Sequence, residues 1–245
     1  WAMGLTQQKH AVSTIQHIVN LLLLRGNIGR PGAGVCPVRG HSNVQGDRTV
    51  GITEHPNESF LKNLDVQFGI SSPRNSGFNT VQAIQAMESK IVKVFMGMGG
   101  NFARATPDSS RTEEALAMCD LTVQMTTKLN KTHLAHGKKA LILPCLGRSE
   151  LDVQASGQQS VTVEDSMGVV HSSKGKNQPA SGNLKSEVAI VAGMARATFP
   201  EDHNIWQALQ DDYSLIRRKI EAVLPELFED YNEKITKPGG FRLYN

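Results

Sequence analysis

The sequence predicts an α/β fold, a three-layer Rossmann-like domain with a mostly parallel sheet. Three observations carry that prediction. Between residues 80 and 143, short apolar runs alternate with segments of helical spacing, the pattern of βαβ units. The apolar runs end in glycine or in small polar residues, as strands do where a parallel sheet opens onto a ligand. The composition is that of a globular protein, with 39% hydrophobic and 20% charged residues in a chain of 245.

Taken in order, residues 1–5 are apolar and read as the end of a strand. Residues 8–25 have helical spacing, with Val12, Ile15, Val19 and Leu22 on one stripe, widened by Ile18 and Leu21, and Gly26 as a stop. Residues 26–56 lack periodicity and are rich in Gly, Asn, Arg and Pro, which predicts a long loop of functional character. Helices are predicted over 80–89, over 112–118 with Ser109 or Ser110 as cap, and over 131–136. Strands are predicted over 91–96, 121–125 and 140–143, then over 160–163 and 168–170. Helices over 184–198 and 211–228 follow, the second with Leu215, Ile216, Ile220, Val223 and Leu227 on one side.

The bulk numbers exclude several classes. A net charge of +3 gives no basic patch for nucleic acid. No stretch is long and apolar enough to span a bilayer, so no membrane partner is expected. The cysteines, Cys36, Cys119 and Cys145, are far apart and form no CxxC pair, so no metal site is expected within the chain, and a reduced, cytoplasmic setting is. The chain starts at Trp1 without Met and stops abruptly at Asn245, which reads as a piece of something longer.

Chemistry concentrates in two places. The loop from Gly26 to Gly46 combines glycines, which permit close backbone approach, with Arg30, Arg39 and Arg48, whose guanidinium forks suit phosphate, and with His41, Asn43 and Gln45, which suit a polar heterocycle. The same composition suits a structural Ω-loop with solvated arginines. The second place is the strand end Gly97-Met98-Gly99-Gly100-Asn101, on one rim with Gln124-Met125-Thr126-Thr127. Adjacent strand ends with polar side chains suit a nucleotide, although the GxGxxG fingerprint is absent; an ordinary tight turn with a strand cap is the alternative. Gln7 marks a third, weaker junction. His133 with His136, Glu164 with Asp165, His171 with Lys174, and Cys145 are set aside: the first pair reads as a solvated helix face, the second as strand neighbours on opposite faces, the third as loop residues, and the thiol lacks an activating neighbour.

The run Trp1-Ala2-Met3-Gly4-Leu5-Thr6-Gln7, then Gly26-Asn27-Ile28-Gly29-Arg30-Pro31-Gly32-Ala33-Gly34, then Arg39-Gly40-His41-Ser42-Asn43-Val44-Gln45-Gly46, resembles the molybdopterin oxidoreductase family, in its formate dehydrogenase alpha-subunit-like group, which includes YdeP-type oxidoreductases. Met96 to Asn101, Leu141-Ile142-Leu143-Pro144, the segment from Glu164 to His171 and Pro238-Gly239-Gly240-Phe241 extend the resemblance more weakly. It implies an internal fragment in which residues 1–7 end the preceding α/β domain, 8–237 bind molybdopterin guanine dinucleotide, and 238–245 begin a linker to a C-terminal domain. The implied cofactor is a bis-pterin molybdenum or tungsten centre, completed by parts of the parent outside this chain, with an iron–sulfur cluster expected in an N-terminal region. The implied partners are a small-molecule substrate and an electron-transfer protein. Carried onto this sequence, Gln7, Arg39, Gly40, His41 and Asn43 fall at the pterin or metal end, with His41 nearest the metal, and Gly97, Gly99, Asn101, Gln124 and Thr126 fall around the guanosine; Arg30 is structural. Cys36, His41 and Gly100-Asn101-Phe102 depart from the pattern of formate dehydrogenases proper and turn the resemblance toward the YdeP-type group. A stand-alone guanine-nucleotide-binding module and a vestigial interaction domain are the alternative readings.

Overall fold

A computed structural model describes residues 1–38 and 40–243, with a mixed α/β architecture. The chain opens with the helical turn α1 (Met3–Thr6) and the longer helix α2 (Ala11–Leu24). Of residues 1–5, expected as a strand, Met3 to Leu5 therefore belong to a helix instead. The Leu5 and Gln7 amides donate to the Ala2 and Met3 carbonyls, so local hydrogen bonds replace a sheet partner. Helix α2 ends where expected, with the Gly26 and Asn27 amides closing onto the Leu23 and Leu22 carbonyls.

The glycine-rich loop follows and contains one short helix, α3 (Val44–Thr49). Helix α4 (Glu58–Phe68) comes next, capped by the Asn57 side chain at its start and by Gly69 at its end. Then α5 (Thr80–Glu88) opens with a capping box between Asn79 and Gln82.

The parallel sheet has three strands, β1 (Val94–Met98), β2 (Leu121–Thr126) and β3 (Lys139–Pro144), in the order β1-β2-β3. The crossover between the first two carries α6 (Phe102–Ala105) and α7 (Ser109–Ala117). The cap of α7 is Asp108, whose carboxylate accepts the Arg111 amide, rather than either serine. The crossover to β3 holds a 3-10 turn, Lys131–Leu134. Register places Phe95, Gly97, Thr122 and Gln124 on one face of the sheet. Against that face lies a core of Ile84, Met87, Ala103, Ala115, Leu116 and Cys119, joined by Phe95 and Phe102. The opposite face carries Met125 and Leu143, which pack with Cys145 on Ile190 and Met194.

The remaining strands correct the expectation of a mostly parallel sheet. β4 (Val153–Gln154) and β5 (Gly157–Gln158) form an antiparallel hairpin. β6 (Val161–Glu164), β7 (Val169–Ser173) and β8 (Phe241–Arg242) form an antiparallel sheet. The physical reason is connection length. Residues 165–168 make a tight turn in which the Asp165 carboxylate accepts the Met167 and Val169 amides, far too short for the dozen residues a parallel crossover needs. Phe241 and Arg242 pair with Val170 and Val169.

Helix α8 (Glu187–Thr198) is capped by Ser186, and α9 (His203–Asp211) follows a 3-10 turn. The helix expected over 211–228 is two, α10 (Tyr213–Val223) and α11 (Pro225–Phe228), because Pro225 has no amide to continue the ladder. The short α12 (Tyr231–Lys234) completes a second core, in which Phe228, Tyr231, Ile235 and Leu243 pack on Val170. Among the described residues no helix is long and apolar enough to cross a membrane.

Candidate functional site

Two sites were expected, and the structure treats their members differently. At the strand ends, Gly97 and Gln124 are register partners across β1 and β2. A Cβ on Gly97 would lie 2.5 Å from Gln124 Oε1 and 3.1 Å from the Phe95 ring, so the Gln124 side chain occupies the space that glycine leaves. Gln124 is buried, and its Nε2 has no hydrogen-bond partner. A buried amide donor without an acceptor costs about 1–3 kcal/mol, so this position is unsatisfied until something brings an acceptor to it.

Beside it the turn runs through Gly99 and Gly100, both at positive φ (66° and 72°), and Gly99 N donates to Met125 O, which ties the turn to β2. Asn101 Oδ1 accepts from Thr132 Oγ1 at 2.9 Å, and Asn130 Nδ2 donates to Gly100 O at 2.7 Å. The 3-10 turn thus fixes the orientation of Asn101 from behind. Thr126 is buried but turned into its own loop, donating to Lys128 O at 2.7 Å and accepting the Lys128 amide. Its role is to shape the rim.

At the loop, Arg39 lies outside the described residues. Gln7 and His41 are exposed, and Gly40 sits against Met3, whose Cε is 3.4 Å from the place a Cβ would take. Asn43 is committed to the fold: its Oδ1 accepts the Glu164 amide at 2.9 Å, and its Nδ2 donates to Asp47 at 3.1 Å. Glu164, set aside as one of two strand neighbours, is a buried anchor. Its carboxylate accepts from Gln45 at 2.5 Å and from Thr49 at 2.6 Å, which fastens α3 to β6. Arg30 donates to Asn27 at 2.6 Å within the loop, in keeping with a structural role. Arg48 is paired with Glu54 at 2.6 Å, and that guanidinium, with the backbone amide, holds the Glu54 carboxyl at about 2. Of the three arginines suited to phosphate, two are therefore spent on neighbours.

Other residues also differ from their first reading. His171 is a strand residue, not a loop residue, and meets Asp165 at 2.8 Å. Burial pushes the Asp165 carboxyl up, but bonds from His171 and from the Val169 and Met167 amides outweigh it and leave the group below its usual range. His133 is buried rather than solvated and accepts the Asn130 amide. Burial raises the Cys119 and Cys145 thiols, which keeps both protonated and unreactive. No group of three or more metal-ligating side chains gathers among the described residues.

Sequence reasoning missed a polar cavity of about 210 Å³ at the ends of β2 and β3. Thr127, Arg148, Asp152, Ser173, Glu187 and Tyr213 contribute to its walls. Arg148 donates to Ser42 at 2.5 Å and to Ser173 at 3.0 Å, so it binds the glycine-rich loop to β7. Tyr213 donates to Asp152 at 2.5 Å and shares a bond with Ser186; burial, then Asp152, push its phenol far above the usual range. Burial and the neighbouring Asp47 likewise raise the Glu187 carboxyl. The signal that pointed here was the position of Arg148, just past the third strand, since open α/β sheets bind ligands beyond strand carboxyl ends.

No protein-family profile matches the chain. An uncharacterized oxidoreductase of Mycobacterium tuberculosis is 58% identical over 244 residues, covering 99% of this chain and 31% of the relative. The protein YdeP of Escherichia coli K12 is 51% identical over 245 residues, covering 100% and 32%. The putative formate dehydrogenase YrhE of Bacillus subtilis is 29% identical over 140 residues, covering 54% and 14%. The chain is a homologue of oxidoreductases. It spans about a third of the length of the relatives it matches from end to end.

Proposed function

We propose that this chain is one part of a molybdopterin-dependent, formate dehydrogenase-like oxidoreductase, and that its task is to hold part of a molybdopterin guanine dinucleotide. On this reading the parallel sheet belongs to a three-layer Rossmann-like domain completed by the rest of the polypeptide, and the parent is cytoplasmic, with an iron–sulfur region, a small-molecule substrate and an electron-transfer partner. The observation that carries the reading is the buried, unpartnered Gln124 amide beside the Gly97 cradle, at the carboxyl ends of two parallel strands. Guanine offers the missing acceptor in its carbonyl oxygen and ring nitrogens.

The residues fit the guanosine end. Gln124 Nε2 donates to the base, Gly97 leaves the space for that side chain, Gly99 and Gly100 let the backbone come close, and Asn101 is held ready by Thr132. Thr126 shapes the rim through its bond to Lys128. The pterin end takes Gln7, Gly40 and His41, together with Arg39 from outside the described residues, and Asn43 and Arg148 anchor the loop just after His41 to the antiparallel sheet. The metal–pterin group, once bound, supplies the two-electron chemistry; this chain supplies binding and orientation.

Titration with GMP tests the base pocket. Saturable binding is expected, weakened about tenfold by Gln124→Leu, the cost of about one buried hydrogen bond, and weakened also by Asn101→Ala. Equal affinity in all three proteins defeats the base assignment. Pterin and metal analysis of the full-length protein tests the parent reading, which fails if neither is present after cofactor-replete expression.

A further inference from the structure

Helix α2 has a surface that the fold leaves unused. No residue of its Ala11–Leu24 span is buried. Val12 is 73% exposed, Leu21 59%, Leu23 55% and Leu24 87%. Successive residues of a helix project about 100° apart, so the four leucines from Leu21 to Leu24 cover the whole circumference of the last turn and leave no polar side for water. The earlier turns carry Ser13, Gln16, His17 and Asn20, so it is this last turn that is apolar all round, the pattern of a buried segment, and a helix of this length has little stability in water without a packed face. The hydrogen bonds that hold the surrounding segment run back to its own beginning: Trp1 N donates to Cys36 O and Val38 N to Trp1 O. The helix, the turn before it and the first half of the glycine-rich loop thus form one clipped unit whose apolar surface faces outward.

We infer that α2 is an internal docking helix, which the additional polypeptide of a full-length protein covers on the Leu21–Leu24 end, and that this docking sets the position of the glycine-rich loop behind it. The argument for that occupant is length. Relatives align with the whole of this chain yet are about three times as long, so roughly two thirds of their polypeptide lies elsewhere and is available to pack here. The inference rests on reading this chain as one part of a longer protein, and it needs no cofactor.

Hydrogen exchange read by mass spectrometry on the α2 peptide is the test, made on the full-length protein and on this chain alone. In the full-length protein the α2 amides exchange at least about a hundredfold more slowly than in the isolated chain, and Leu21→Asp with Leu24→Asp abolishes that difference. Lys62→Asp, on exposed α4, leaves it intact and controls for a general loss of fold. Equally fast exchange in both proteins overturns the docking. Protection that appears in the isolated chain together with a doubled mass overturns the occupant, because a second copy then covers the helix. A gene product no longer than this chain removes the longer-protein reading itself, an outcome visible from intact mass before any exchange is measured.

Discussion

Gly97 shows how much one missing Cβ decides. A methyl there would meet Gln124 Oε1 at 2.5 Å and Phe95 at 3.1 Å. Gly97→Ala is expected to cost about 1–3 kcal/mol by overpacking, read as a lower midpoint in urea. Gln124→Leu should do the opposite: replacing an unpaired buried amide with an apolar isostere leaves stability unchanged or raises it, while GMP affinity falls. A drop in both would mean the amide has a partner within the fold. Glu54 gives a pH test. Its carboxyl is held at about 2 by Arg48, below the value in the unfolded chain, so the bond adds stability above the unfolded pKa, and that contribution is lost as pH falls toward about 2. Glu54→Gln should flatten the acid side of the melting-temperature profile in that window. At this scale the sequence revealed which residue types gather at the strand ends, Gly97, Asn101 and Gln124 among them. It did not reveal that Asn43 is committed to Glu164, because a side chain's partner more than a hundred residues away leaves no mark in local pattern.

Elements were legible where periodicity was strong and illegible where tertiary pairing decided. Helices α2, α5, α7 and α8 and the three parallel strands lie within a few residues of their expected places. Helix α4 carried a readable signal in Asn57 and Gly69, and Asn57→Ala is expected to cost about 1 kcal/mol through loss of the cap on the Phe60 amide, checked by thermal denaturation. The opening helix was misread as a strand because a short apolar run suits either state and only its partners choose between them. Helix α3 is short and polar, and its place comes from Glu164. Glu164→Ala removes the acceptor for Gln45 and Thr49; a loss of about 1–3 kcal/mol is expected, with faster proteolysis in the loop preceding α3.

Across the whole molecule, the parallel and antiparallel sheets are joined along the segment that leaves β3. Cys145 bridges to Lys185 and Glu150 to Asn177, Arg148 reaches Ser42 and Ser173, and the Glu150 carboxylate accepts the Gly147 and Ala180 amides. Gly175 lies directly on the Glu150 backbone, where a Cβ would collide with its carbonyl group and amide nitrogen. A flexible side chain could yield to such a collision, but backbone pinned by two bridges cannot. Gly175→Ala must therefore push the two sheets apart or break the bridges between them. The expected result is a destabilisation at or above the upper end of the ~1–3 kcal/mol overpacking range, together with loss of a single cooperative transition: the parallel-sheet core around Leu116 and the helical core around Tyr231 should then unfold at separate denaturant concentrations. Arg148→Ala, which cuts only exposed side-chain bonds, should keep the transition single while freeing the glycine-rich loop to trypsin. If Gly175→Ala instead melts in one step at an unchanged midpoint, the bridges do not couple the two sheets, and the segment after β3 is merely a connection between independently stable halves.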